Sequence, residues 1–294
     1  MPHPFPQPEP TATPPHYKET AIPVVAPNAP RQRVFITGGS SGIGAALARH
    51  YASRGAALIL TGRNIERLDA VAEDCTRLGS PSVVCSTISV TDKGGFRRFI
   101  EKEDERHPIT HAFANAGISS GTGEQKSEGQ AQTEHIFATN VQGVFNTIFP
   151  LIPLMQERGA GHIGIVSSLA SFKGIPGAPA YCGSKAAIRV WAEGLRGNLA
   201  PDGIHVSIIC PGFVRSRITD SNDFKMPFFM EADKAAAIIA KGIHKKKARI
   251  AFPWQMATFV WIFNATPLGI VEKIARLLPK KPAARDTVPP NMQE

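Results

Sequence analysis

Val34-Phe35-Ile36-Thr37-Gly38-Gly39-Ser40-Ser41-Gly42-Ile43-Gly44 passes from a β-branched and aromatic run into a glycine and serine cluster, and Ala45-Ala46-Leu47-Ala48-Arg49 follows with helical character. The order is strand, tight turn, helix start. At such a turn the first free N–H groups of the helix point outward, with the positive end of its dipole behind them. A diphosphate is anionic and accepts several hydrogen bonds, so Gly38, Ser40, Ser41, Gly42, Ile43 and Gly44 form a candidate dinucleotide site. Side chains at the glycines would hold the phosphates away from the backbone. The spacing Thr-Gly-x-x-x-Gly-Ile-Gly departs from the commoner G-x-G-x-x-G pattern.

Outward from this turn, short apolar runs alternate with helical segments. Strands are expected at 57–61, 82–88, 111–114, 162–167, 205–210 and 248–252, and helices near 64–73, 95–105, 133–157 and 180–199. The 133–157 helix should be disturbed near Pro150 and Pro153. That alternation predicts an α/β Rossmann-type fold, a doubly wound parallel sheet of about seven strands with helices on both faces. Its ligand crevice lies at the C-terminal ends of the strands.

Three regions are expected. Residues 1–30 hold ten of the 25 prolines and little apolar periodicity, so they read as a disordered tail. Residues 31–252 form one catalytic domain, and 253–294 an apolar and basic extension. Residues 1–30 lack the basic start and apolar core of a secretory signal, so a cytoplasmic location is expected. Cys75, Cys85, Cys182 and Cys210 lack metal-type spacing, so no metal site is expected and the thiols should be free and buried.

The formal net charge of +9 gathers near the C-terminus, in Lys245-Lys246-Lys247, Arg249, Lys273, Arg276, Lys280 and Lys281. Nothing resembles a nucleic-acid module, so no nucleic-acid partner is expected. The aromatic stretch 252–271 is broken by Gln255, Asn264, Pro267 and Gly269 and should not span a bilayer. Residues 253–281 would suit peripheral contact with an anionic membrane, a subunit interface or a cap on the core.

The chemistry sits in Tyr181-Cys182-Gly183-Ser184-Lys185, where positions four apart share a helix face. An ammonium beside a phenol favours the phenolate, which would lower the pKa of Tyr181 and suit it to proton transfer with an alcohol or carbonyl oxygen. Ser168, thirteen residues earlier at the end of a strand, offers a hydroxyl to the same oxygen.

Together with Asn115-Ala116-Gly117, Asn140 in Asn140-Val141-Gln142-Gly143, and Pro211-Gly212-Phe213-Val214-Arg215-Ser216, these motifs resemble the short-chain dehydrogenase/reductase family in its single-domain branch. The resemblance implies that Tyr181 is the general acid or base. It implies that Lys185 holds the nicotinamide ribose, Ser168 orients the substrate oxygen and Asn140 keeps a relay water. Asn115 would meet the adenosine side, and Val214 and Ser216 would bracket the carboxamide. A lid is implied near 216–230, where Phe224, Phe228, Phe229 and Met230 favour an apolar ketone or alcohol. Family members are commonly oligomers, so a homo-oligomer is expected.

Two positions depart from the family pattern. Ala114 replaces an asparagine, and Ser89 replaces an adenine-contacting aspartate, with Asp92 nearby. The strand at 57–61 ends in Thr61-Gly62-Arg63, without the acid that bonds a ribose 2′-OH, and Arg63 can pair with a 2′-phosphate, so the expected cofactor is NADP(H). The alternative is a non-catalytic NADP(H)-binding sensor or scaffold, which has no need of Ser168, Tyr181, Lys185 and Asn140 together.

Overall fold

The computed structural model describes residues 16–21, 32–120, 128–220, 222, 225–267 and 269–270. In chain order the strands are β1 (Tyr17–Ala21), β2 (Arg33–Thr37), β3 (Ala57–Thr61), β4 (Ser82–Ser86), β5 (His111–Ala114), β6 (Gly161–Val166), β7 (Ile204–Pro211) and β8 (Arg249–Phe252). The helices are α1 (Gly42–Ala52), α2 (Ile65–Arg77), α3 (Lys93–Arg106), α4 (Gln130–Phe137), α5 (Gly143–Ile148), α6 (Leu151–Arg158), α7 (Pro179–Leu199), α8 (Arg217–Asp220), α9 (Ala232–His244) and α10 (Trp254–Ala265). They surround one sheet of order β1-β4-β3-β2-β5-β6-β7-β8.

β2 to β8 run parallel, the seven strands expected. Successive residues of each strand bury opposite faces. Val34 and Ile36 enter one core with α1, α2 and α9, while Phe35 enters the other with α3, α5 and α7. Two apolar faces explain why these strands read as continuous apolar runs. The chain winds outward from β2 through β3 and β4, then returns to pair β5 on the other side of β2. Their C-terminal ends therefore define the topological switch point and position the site.

Two expectations need correction. Residues 17–21 lie inside the stretch read as a disordered tail, yet they pair antiparallel with β4. The edge of β4 presents unpaired backbone groups, and Tyr17-Lys18-Glu19-Thr20-Ala21 is a proline-free stretch able to satisfy them. Lys18 also meets Asp69 at 3.3 Å. Residues 1–15 and 22–30 of that stretch, and the extension from 271, lie outside the described residues.

The helix expected over 133–157 is three helices. A π-helical turn, Ala138–Gln142, separates α4 from α5, and Pro150 precedes α6, which keeps Pro153 in its first turn, where no N–H donor is needed. The described thiols of all four cysteines are free and buried. Among the described residues no helix is long and apolar enough to cross a membrane.

At the sheet edge opposite the site, His111, His162 and His205 occupy paired positions on β5, β6 and β7. Their rings lie 4.5 Å and then 5.3 Å apart. Burial, then the neighbouring ring, pushes His111 down to about 3, and burial followed by His205, Lys246 and His244 brings His162 to about 4. A histidine with a lowered folded pKa is neutral when folded, so unfolding takes up a proton. Stability from this source is complete above the ordinary value of 6.5 and is lost as pH falls toward the folded values. The melting temperature should thus drop as pH is lowered from neutrality toward 4. In His111→Asn that drop should be shallower, by up to about 1.4 kcal/mol per pH unit, as measured by thermal melts across the range.

Candidate active site

The site begins where β2 and β5 end. Thr37 Oγ1 accepts from the amides of Asn115 and Ala116, both at 3.0 Å, and donates to the Phe113 carbonyl at 3.3 Å. Asn115 Nδ2 donates to the carbonyls of Thr37 at 2.9 Å and Gly38 at 3.3 Å. The Nδ2 end of the Asn115 side chain thus braces the glycine turn. Asp92, noted as a nearby acid, caps α3 through Gly95 N at 2.9 Å.

Behind the turn, α1 starts with no acidic residue in its first turn, and Ser41 at its N-cap makes no side-chain cap bond. Gly42 has φ +54°, and a Cβ there would stand 2.8 Å from the Ser216 Cβ. A Cβ on Gly44 would overlap the Gly38 carbonyl oxygen. Bare backbone, uncapped amides and a dipole's positive end are what a diphosphate needs, so these residues fit the dinucleotide implied by the sequence.

Ser168 lies just beyond β6, nearly buried, with its Oγ accepting from Ala170 N at 3.1 Å. Its hydroxyl also hydrogen-bonds Tyr181, so strand end and helix head meet at the expected pair. Lys185, four residues along α7, is buried, and its Nζ donates to the Val166 carbonyl at 2.8 Å. Gly117 closes the group, since a Cβ there would be 3.2 Å from both Lys185 Nζ and Asn140 Oδ1.

The electrostatics differ from expectation. The sequence reading has Lys185 acidifying Tyr181. Instead burial pushes the Tyr181 phenol up, and the bond from Ser168 is the opposing influence. Lys185 Nζ lies 6.0 Å from the phenol ring centre and is itself brought down to about 8 by burial. The physical reason is that Lys185 is buried and Tyr181 partly so, and losing water disfavours the charged form of each.

Asn140 stands in the π-helical turn. Its Oδ1 accepts from Ile118 N at 2.8 Å, and its Nδ2 donates to Ile118 O at 2.9 Å and Ser184 Oγ at 3.0 Å. Val214 is buried and bridged to Met230. Ser216 caps the short α8 through Thr219, and it also covers Gly42. Arg63 is exposed, directly after Gly62, whose Cα packs under Ser40. Of the implied lid, Phe224 is outside the described residues, Phe228 and Phe229 are exposed, and Met230 is pinned to Phe213 and Arg215 by backbone bonds.

One residue beside the site was not foreseen. Glu128 Oε2 accepts from Ala180 N at 2.7 Å, capping the head of α7 next to Tyr181, where Ala178 offers no side-chain cap. Burial raises its carboxyl above the usual range. It lies fifty-two residues away in sequence, so no local spacing signals it.

The family model described as short chain dehydrogenase matches residues 32–226. An uncharacterized oxidoreductase of Myxococcus xanthus is 36% identical over 245 residues, 83% of this chain and 96% of its own. The 11-beta-hydroxysteroid dehydrogenase 1A of Arabidopsis thaliana is 32% identical over 247 residues, 78% and 70% of the two chains. A Sphingobium yanoikuyae short-chain dehydrogenase solved with NADPH shares the fold with a TM-score of 0.72 at 24% identity, over 86% of this chain and 98% of that one. A Burkholderia phymatum relative solved with NAD gives 0.71 at 20%, over 88% and 98%.

Gly44→Ala should displace the turn from Asn115 and weaken NAD(P)H binding by at least about a hundredfold, the effect of moving several charge-assisted bonds at once. Titration of the cofactor's fluorescence measures this. Unchanged affinity would detach the turn from the cofactor.

Proposed function

From the premise that this chain belongs to the short-chain dehydrogenase/reductase family, with its NAD(P)-dependent oxidoreductase chemistry, we propose that it interconverts an apolar ketone and a secondary alcohol with NADP(H). The observation that carries this reading is the Ser168–Tyr181 hydrogen bond, held beside buried Lys185 and next to the uncapped head of α1.

When bound, the nicotinamide supplies a hydride to a carbonyl carbon or takes one from an alcohol. The chain's own residues handle the oxygen. Ser168 donates to it and fixes its place, stabilising the charge that develops there. Tyr181 gives its proton to that oxygen during reduction and takes it back during oxidation. Burial keeps the phenol protonated at neutral pH, the form reduction needs. Lys185, brought down to about 8 by burial and four residues along α7 from Tyr181, would hold the nicotinamide ribose. A relay water at Asn140 is met by the backbone of the π-helical turn, because both ends of the side-chain amide are already bonded.

The choice of NADP(H) is supported by Arg63, exposed after β3 with no acid at Thr61-Gly62 to repel a 2′-phosphate. An apolar substrate is supported by the exposed Phe228 and Phe229 of the stretch that the family resemblance reads as a lid, and by the Arabidopsis relative, whose name is that of a hydroxysteroid dehydrogenase.

Tyr181→Phe should lower NADPH-dependent reduction of apolar ketones by about 10²–10⁴-fold, with NADPH affinity unchanged. Wild-type protein that binds NADPH yet turns over no ketone or alcohol overturns the enzymatic reading in favour of a sensor. Separately, Arg63→Ala should cut the NADPH-over-NADH preference in kcat/KM by about 10- to 100-fold, the worth of a charged hydrogen bond. A wild-type preference for NADH would refute the assignment.

A further inference from the structure

The chain's C-terminal described helix has no side of its own that is polar. α10 contains no charged residue and none of its residues is fully buried. Met256, Ala257 and Val260 pack on the core, and Met256 covers Gly212. Trp254 and Trp261, each 72% exposed, stand on the outer side with Phe259 at 64% and Ile262 at 58%. Four large apolar side chains on one helix exceed the scattered exposure normal for a surface. Lys173 Nζ ties the end of α10 to the segment after Ser168, donating to the carbonyls of Asn264 at 3.2 Å and Thr266 at 2.9 Å. The helix is thus held rigidly outward beside the site.

We propose that α10 docks in the surface of an anionic lipid membrane. A twelve-residue helix is about 18 Å long and does not cross a bilayer, but lying flat it can seat aromatic side chains about 5–10 Å deep. Tryptophan suits that depth because its ring is apolar and its indole N–H reaches the headgroups. Charge selects lipid over a second copy of the chain. Within residues 253–281 the ionisable groups are Lys273, Arg276, Lys280 and Lys281 against the single acid Glu272. A second copy carries the same excess of cations and gains nothing from it, whereas the phosphates of an acidic bilayer attract them. The docking is independent of which carbonyl compound the site reduces.

The test uses the full chain with sedimented vesicles of phosphatidylcholine alone or of equimolar phosphatidylcholine and phosphatidylglycerol. Partitioning onto the anionic vesicles should be at least about tenfold stronger and should weaken with added salt. Two of the three tryptophans lie in α10, so their emission should shift to the blue on binding. The double substitution Trp254→Ser with Trp261→Ser should abolish sedimentation while the melting temperature and NADPH affinity stay unchanged. Equal partitioning onto both vesicle types overturns the proposal. So does a stable dimer in light scattering that the double substitution dissociates, or tryptophan emission already blue-shifted without lipid, which would mean that the chain's own C-terminal segment covers the helix. Should the double variant not fold, the contrast between the two vesicle types with wild-type protein still decides.

Discussion

The Thr37 hydroxyl and the Asn115 amide tie together the ends of β2 and β5, and the rest of the site is placed by that tie. These two strands flank the point where the sheet reverses its winding, so their C-terminal ends open a crevice that no crossover covers. The stitch sets how closely the glycine turn approaches Ala116, and hence where α1 begins. With Gly44 against the Gly38 carbonyl and Gly42 under Ser216, there is room for backbone only. A phosphate-binding surface results because side chains are excluded, rather than because a particular side chain is supplied.

A second consequence of tight packing is electrostatic. Tyr181 and Lys185 are set in the wall between β6 and α7, with Lys185 hydrogen-bonded to the Val166 carbonyl. Removing water moves the phenol up from its ordinary value and the amine down to about 8, so burial parts the two and leaves the ammonium the more acidic group. The phenol is therefore held protonated by desolvation, and direct acidification by a neighbouring charge is not what sets its state. Glu128 contributes by holding the head of α7 from a segment remote in sequence.

The edges of the molecule follow another logic. β1 closes one edge of the sheet mainly by backbone pairing, which makes few demands on side-chain type. At the other edge, α10 follows β8 and leaves its aromatic side outward, tethered to the loop beyond Ser168 through Lys173. The aromatic side of α10 and the loop that follows Ser168 are thereby mechanically joined.

The sequence alone determined the parallel sheet, because strands buried on both faces must be apolar at every position, and runs such as Val34-Phe35-Ile36 have that character whatever surrounds them. It also determined the glycine turn and the Tyr181–Lys185 pair, since both are local: one is a backbone conformation, the other a four-residue helical spacing. Tertiary structure decided what depends on distant partners. The strand at Tyr17–Ala21 exists because β4 offers an edge, the π-helical turn around Asn140 sits against Ile118 and Ser184, and Glu128 caps a helix that starts fifty-one residues later. The acidity of Tyr181 belongs to the same group, because desolvation is a property of the packed wall and no spacing in the chain records how much water is excluded.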